Sequence, residues 1–205
     1  MLKSVTFALI ALNAAVFLFG MVSPATLNGF AFTPSQAFDE PWTFITSQFM
    51  HAGIMHIAFN MFTLFAFGPV LESRMRWWEF ILFYLAAGVV GNLLQMGMAY
   101  SGFFEFINPN TPGVGASGAI MGVIGVLAIL TPHIQMMVPI LPIPVPMWIG
   151  AILFTLFNVG ISFFDTNIGT GAHLGGLALG ILVGFVLRRM MPGRGGSYDI
   201  VYEYE

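Results

Sequence analysis

Residues 115–132 read Gly115-Ala116-Ser117-Gly118-Ala119-Ile120-Met121-Gly122-Val123-Ile124-Gly125-Val126-Leu127-Ala128-Ile129-Leu130-Thr131-Pro132. An apolar run closed by a proline reads as a helix from Ser117 to Leu130, because proline brings no amide hydrogen and disfavours helical geometry in the residue before it. Thirteen steps separate those two residues, and at ~1.5 Å per step they cover about 20 Å of a hydrocarbon core about 30 Å thick. A membrane helix that short begins some 10 Å below one surface, with Ser117 at its sunken head.

The surrounding chain supports a membrane reading. Across 205 residues 58% are hydrophobic and 7% charged, with a mean hydropathy of +0.88, which does not describe a water-soluble surface. A net charge of −3 from six basic and nine acidic residues leaves too few charges for a nucleic-acid interface or a solvated acidic tail of any size. The absence of cysteine removes disulfides, thiolate metal sites, a Cys nucleophile and thioether or thioester lipid anchors. The 14 Met and 22 Phe read as lipid-facing filler.

Six spans are expected: Ser4–Val22, His51–Leu71, Trp77–Tyr100, Ser117–Leu130, Val145–Phe164 and Gly171–Met190. Breakers punctuate them: Ser23-Pro24, Gly68-Pro69, the stretch 108–115, Thr131-Pro132 and 169–171. Lys3, Arg74, Arg76, Arg188, Arg189 and Arg194 then fall on one side, which puts both termini in the cytoplasm, while Asp39, Glu40, Glu105 and Asp165 face outward. The first span outlasts a signal-peptide core and lacks a following small-x-small site, so it is read as retained. The aromatic outer loop from Ser23 to Met50 is expected in the interface. The five prolines between Thr131 and Pro146 argue for a stiff connector, neither helix nor sheet interior. The domain organisation is one six-helix unit over 1–190 with a short acidic, Tyr-containing cytoplasmic tail over 191–205. With no transit peptide or large additional domain in view, a prokaryotic cytoplasmic membrane is the expected location.

Polar side chains at membrane depth are costly and mark function by default. Here they are His56, Asn60, Asn92, Gln95, Ser117, Asn158 and His173. Fourteen steps from Leu187 back to His173, and fifteen and eleven from Leu71 back to His56 and Asn60, correspond to ~21, ~22 and ~17 Å. Ser117, His173, His56 and Asn60 therefore converge on one plane, with His56 and Asn60 on one helix face. Gly118, Gly122 and Gly125 follow the serine, and Gly176, Gly180 and Gly184 follow the histidine. Such small-residue stripes let two helix backbones touch in lipid. A serine at the head of one stripe and a histidine at the head of the other suit acyl transfer: His173 removes the Ser117 proton, while the Ser117 or Gly118 amide and the side chains of His56 and Asn60 stabilise the oxyanion. The irregular backbone before Ser117 is tolerable at depth where it lines a wet cavity, and hydrolysis needs that water. The site is expected to open to the extracytoplasmic side, and no cofactor or metal is called for.

With these residues in place the chain resembles the rhomboid intramembrane serine proteases over nearly its whole length. Gly115-Ala116-Ser117-Gly118 is similar to that family's G-x-S-G nucleophile motif, Ala172-His173 with Gly176 and Gly180 to its A-H-x-x-G-x-x-x-G base helix, and His51, His56 and Asn60 to its H-x-x-x-x-H-x-x-x-N pattern. The resemblance implies a rhomboid-like six-helix bundle, a Ser117–His173 dyad with no acidic third member, His56 and Asn60 at the oxyanion, and membrane-spanning protein substrates. It further implies substrate entry past span five and the outer loop before span six, small residues beside the scissile bond, and a structural role for Glu72. The chain departs from the family pattern where Trp42-Thr43 stands for a Trp-Arg pair and where Met121 stands for an aromatic four residues after the serine. The first puts the anchoring of the outer loop in doubt; the second loosens the orientation of the base, although a thioether can still pack on an imidazole.

Other readings were weighed on the same residues. Asp165 is eight residues from His173 and reads as a solvated loop acid rather than a triad member. His51 is assigned a structural hydrogen bond inside span two, His133 is isolated, and Asn92, Gln95 and Asn158 read as glue between helices. No H-E-x-x-H helix or pair of deep aspartates supports a metallo- or aspartyl protease. A transporter or proton-linked channel would use polar groups through the full depth, whereas here they stop halfway. A non-catalytic chaperone or adaptor for membrane segments would share the fold.

Overall fold

The computed structural model describes residues 4–23, 29–102, 107–137, 143–162 and 169–190. In chain order the elements are α1 (Val5–Val22), α2 (Thr43–Thr46), α3 (Ile54–Glu72), α4 (Trp77–Tyr100), α5 (Ser117–Leu130), β1 (Gln135–Met137), β2 (Pro144–Pro146), α6 (Met147–Ser162) and α7 (Thr170–Met190). Four of these, α1, α3, α4 and α7, are long and apolar enough to cross a membrane, and α5 and α6 are shorter apolar helices. The bundle keeps Phe59, Phe62 and Phe65 of α3 and Leu182, Phe185 and Val186 of α7 exposed. Apolar surface of that extent suits lipid and not water; the chain is an integral membrane protein.

At the centre stands α5, buried at every position from Gly118 to Leu127 and packed on α7, α4, α3 and α6. Its glycines permit this. A methyl added at Gly176 would overlap the Gly118 carbonyl oxygen, and one at Gly180 that of Gly122; at Gly125 it would meet the Leu177 carbonyl oxygen at 2.7 Å. Helix α7 is equally close to α4, where a methyl on Gly91 would sit 2.5 Å from the Ala172 carbonyl oxygen. Lipid filler is only part of the role of Phe and Met, since Phe32, Phe80, Met121 and Met147 are fully buried.

Helix α1 is moored to the end of α3. Glu72 accepts hydrogen bonds from Ser4 Oγ (2.7 Å), Val5 N (2.6 Å), Thr6 N (3.0 Å) and Thr6 Oγ1 (2.7 Å), supplying acceptors to the otherwise unpaired first amides of α1. As a span expected to end at Leu71 requires, Gly68-Pro69 lies inside the helix, which continues to Glu72. Proline forfeits a single backbone bond there, and the last turn is held by Ser73 N on Pro69 O and by the Glu72 contacts.

One boundary differs from expectation, and two loops gain detail. Helix α3 starts at Ile54 and not at His51, because Gly53 is fully extended at φ 180°. The connector after α5 contains a two-stranded antiparallel ribbon, Gln135–Met137 on Pro144–Pro146. A two-stranded ribbon has only edges, and prolines at alternate positions leave no ladder donor missing where their nitrogens face outward; Val145 between them is buried. The outer loop packs on the bundle as well as exposing aromatics. Phe32 is 1% exposed, 3₁₀ turns form at Pro34–Gln36 and Ser47–Phe49, and Phe38 and Trp42 remain exposed. Lys3, Glu105, Asp165, Arg194 and the tail over 191–205 lie outside the described residues.

Candidate active site

The site begins where irregular backbone meets the head of α5. Gly115 has φ +132°, a conformation that L side chains rarely adopt, and a methyl there would come 2.8 Å from His56 Nε2. Its amide donates to Ser47 O at 2.9 Å, and the same segment pairs with the outer loop through Phe32 N on Gly113 O (3.0 Å) and Gly113 N on Phe32 O (2.7 Å). These bonds hold the strand-like approach that delivers Ser117 as the first residue of α5.

The outer loop is anchored without an arginine at Thr43. Trp42 Nε1 donates to Gly29 O (2.8 Å), Thr46 Oγ1 to Phe30 O (2.9 Å), and Gln48 Nε2 to Phe44 O (2.9 Å) and Leu85 O (3.2 Å). Thr43 itself is buried and donates to Glu40 O at 2.6 Å. Asn92 ties α4 to this loop by donating to Phe44 O and Ser47 Oγ, each at 3.1 Å, and Gln95 ties α4 to α7 by accepting from Gly171 N at 2.8 Å.

His173 lies in the first turn of α7, its amide donating to Gly169 O at 3.0 Å. The glycine seam brings the heads of α5 and α7 together, and His173 Nε2 is 2.7 Å from Ser117 Oγ. Its Nδ1 is 2.8 Å from Asn158 Oδ1 of α6, so one of the residues read as glue between helices joins α6 to α7 at the histidine. Among the candidate oxyanion groups, His56 faces the cavity beside Ser117, whereas Asn60 sits one turn further along α3, buried, with Nδ2 donating to His56 O at 3.0 Å. His51 precedes α3 and meets the His56 ring edge-on, centroids 5.1 Å apart at 71°. Met121 is buried in the core one turn below Ser117.

These groups open onto a cavity of about 340 Å³. Its polar lining includes Ser47, His56, Asn92, Gln95, Ser117 and His173, and one wall is the α6 face of Phe154, Phe157, Asn158 and Ile161. A hydroxyl hydrogen-bonded to an imidazole at the unpaired N-terminus of a helix is a competent nucleophile–base arrangement, and a cavity with a polar lining holds water more readily than a dry core.

Known proteins place the chain. The rhomboid domain model matches residues 39–190. Rhomboid protein 1, mitochondrial, of Saccharomyces cerevisiae is 25% identical over 190 residues, covering 91% of this chain and 54% of the relative. The putative rhomboid protease YdcA of Bacillus subtilis is 31% identical over 156 residues, 72% of this chain and 67% of the relative; rhomboid protease GluP of the same organism is 30% identical over 158 residues, 77% and 28%. The chain thus spans about half the length of the yeast relative and under a third of GluP. With the domain matched from the outer loop to the end of α7, the chain belongs to the rhomboid family.

Proposed function

We propose that this chain is an intramembrane serine endopeptidase that hydrolyses peptide bonds in or near the membrane spans of other proteins. The observation that carries the reading is the 2.7 Å contact between Ser117 Oγ and His173 Nε2 at the mouth of a cavity. His173 takes the hydroxyl proton as Ser117 Oγ attacks the scissile carbonyl, then gives it to the leaving amine; water, deprotonated by the same imidazole, releases the acyl group. The developing oxyanion is held by the first amides of α5, which have no intrahelical acceptor, and by His56. Asn60 tethers the His56 backbone through one amide hydrogen and has a second to offer. The relatives' names as rhomboid and serine proteases support the same chemistry.

In this reading α5 and α6 complete a six-span bundle with both termini cytoplasmic, and the cavity opens to the extracytoplasmic side of a prokaryotic inner membrane, with lipid around the protease unit of residues 1–190 and the tail in the cytoplasm. The apolar wall of α6 supports a membrane segment as substrate. Cleavage of a model single-span substrate in proteoliposomes tests the assignment: Ser117→Ala and His173→Ala are each expected to abolish it, and retained cleavage by either would refute it.

A further inference from the structure

Helix α6 presents Phe154, Phe157, Asn158 and Ile161 to the cavity, so a single amide stands on an otherwise apolar wall. Asn158 is 7% exposed and both ends of its side chain are engaged. Nδ2 donates to Phe154 O at 2.9 Å. A carbonyl can only accept, which settles the orientation of the amide: the atom 2.8 Å from His173 Nδ1 is the oxygen, and it too can only accept. The proton of the neutral imidazole must then lie on Nδ1, leaving the lone pair of Nε2 facing Ser117 Oγ at 2.7 Å.

Resting on the serine-hydrolase reading above, we propose that Asn158 is the positioning residue of the base: it fixes the His173 tautomer and ring plane behind the reacting pair Ser117–His173. The logic is that of a triad in which the third member orients the imidazole and takes no proton. No proton reaches Asn158; one moves from Ser117 Oγ to His173 Nε2 and on to the leaving amine. Because Asn158 belongs to α6 and His173 to α7, the alignment of the base also depends on α6 being in place.

The test compares wild type, Asn158→Leu and Asn158→Asp in detergent, reading kcat, KM and the pH profile on a model single-span substrate alongside thermal unfolding. Leucine removes the acceptor at similar volume; kcat is expected to fall about tenfold or more, with KM and unfolding temperature near wild type. Aspartate restores the oxygen and is expected to recover most of kcat. Its carboxylate also favours the imidazolium, so the acid limb of the profile is expected to move to higher pH. His56 is the other titratable side chain among the described residues lining the cavity, and Asn158→Asp leaves it in place in all arms. Wild-type kcat in Asn158→Leu, or an acid limb unmoved in Asn158→Asp, would overturn the proposal. Should Asn158→Leu fail to fold, the acid limb of Asn158→Asp decides alone in the same way. Cleavage by wild type and none by Ser117→Ala in the same series secures the underlying reading, so that an unaffected Asn158→Leu counts against Asn158 only.

Discussion

The seam between α5 and α7 and the wall formed by α6 flank the same cavity and are built in opposite ways. In the seam, backbone meets backbone: Gly118, Gly122 and Gly125 lie against the carbonyl oxygens of Ala172, Gly176 and Leu177. At Gly125, Gly176 and Gly180 the nearest atoms across the seam are backbone atoms, which have no rotamer to change, so the helix axes set the relative position of Ser117 and His173. Helix α6 touches its neighbours through side chains, such as the Met136 thioether lying over Gly150, and turns Ile152 and Leu156 outward. Thioethers and long apolar chains adapt. Under the proposed reading, the Ser117–His173 pair sits on a backbone contact and faces a more adaptable wall, which suits a site that would hold two atoms at hydrogen-bond distance and still admit a bulky segment.

The largest expected effect comes from forcing the seam apart. Gly180→Val would drive a branched side chain into the Gly122 carbonyl, and a loss of about 3 kcal/mol or more with no residual cleavage is expected from thermal unfolding and proteoliposome assays; a stable, active variant would show that backbone contact does not align the pair. If the second amide hydrogen of Asn60 serves the oxyanion as proposed, Asn60→Ala is expected to slow cleavage by about a hundredfold while unfolding shifts much less; equal losses in rate and stability would assign Asn60 to packing. Gly115→Ala combines the φ strain with the clash on His56 and is expected to cost ~1–3 kcal/mol, read as a lower unfolding temperature and slower serine labelling. Smallest of all, Leu156→Ala on the outward face of α6, where the side chain is 62% exposed, is expected to change stability by under about 0.5 kcal/mol; a change as large as that at Gly180 would abolish the distinction between seam and wall.

The sequence makes the seam legible because its signals are local. Glycines four apart, a serine at a helix head and Pro132 beyond its end locate α5 as Ser117–Leu130, the bounds it has in the structure. Depth counting brings Ser117 and His173 to one level, and they meet. A boundary resting on a single residue fares worse: His51 lies before the helix because Gly53 is extended. The proline-rich connector conceals a ribbon, since alternation of Pro144, Val145 and Pro146 is a period-2 pattern that proline content masks. Asn158 is named at membrane depth and assigned to helix glue, and its contact with His173 joins α6 to α7, but the identity of that partner is not legible. Its partner is on a different helix, and hydropathy says nothing of which helix faces which. The depth count adds to this: eleven steps from Met147 to Asn158 give ~17 Å, the level of Asn60.

Reaction with a fluorophosphonate tests most directly whether Ser117 is activated by His173. The purified protein in detergent should label in the wild type and lose labelling in both Ser117→Ala and His173→Ala, with all three folded by thermal unfolding. Undiminished labelling of folded His173→Ala would contradict the account, because the serine would then owe its reactivity to something other than the imidazole 2.7 Å away.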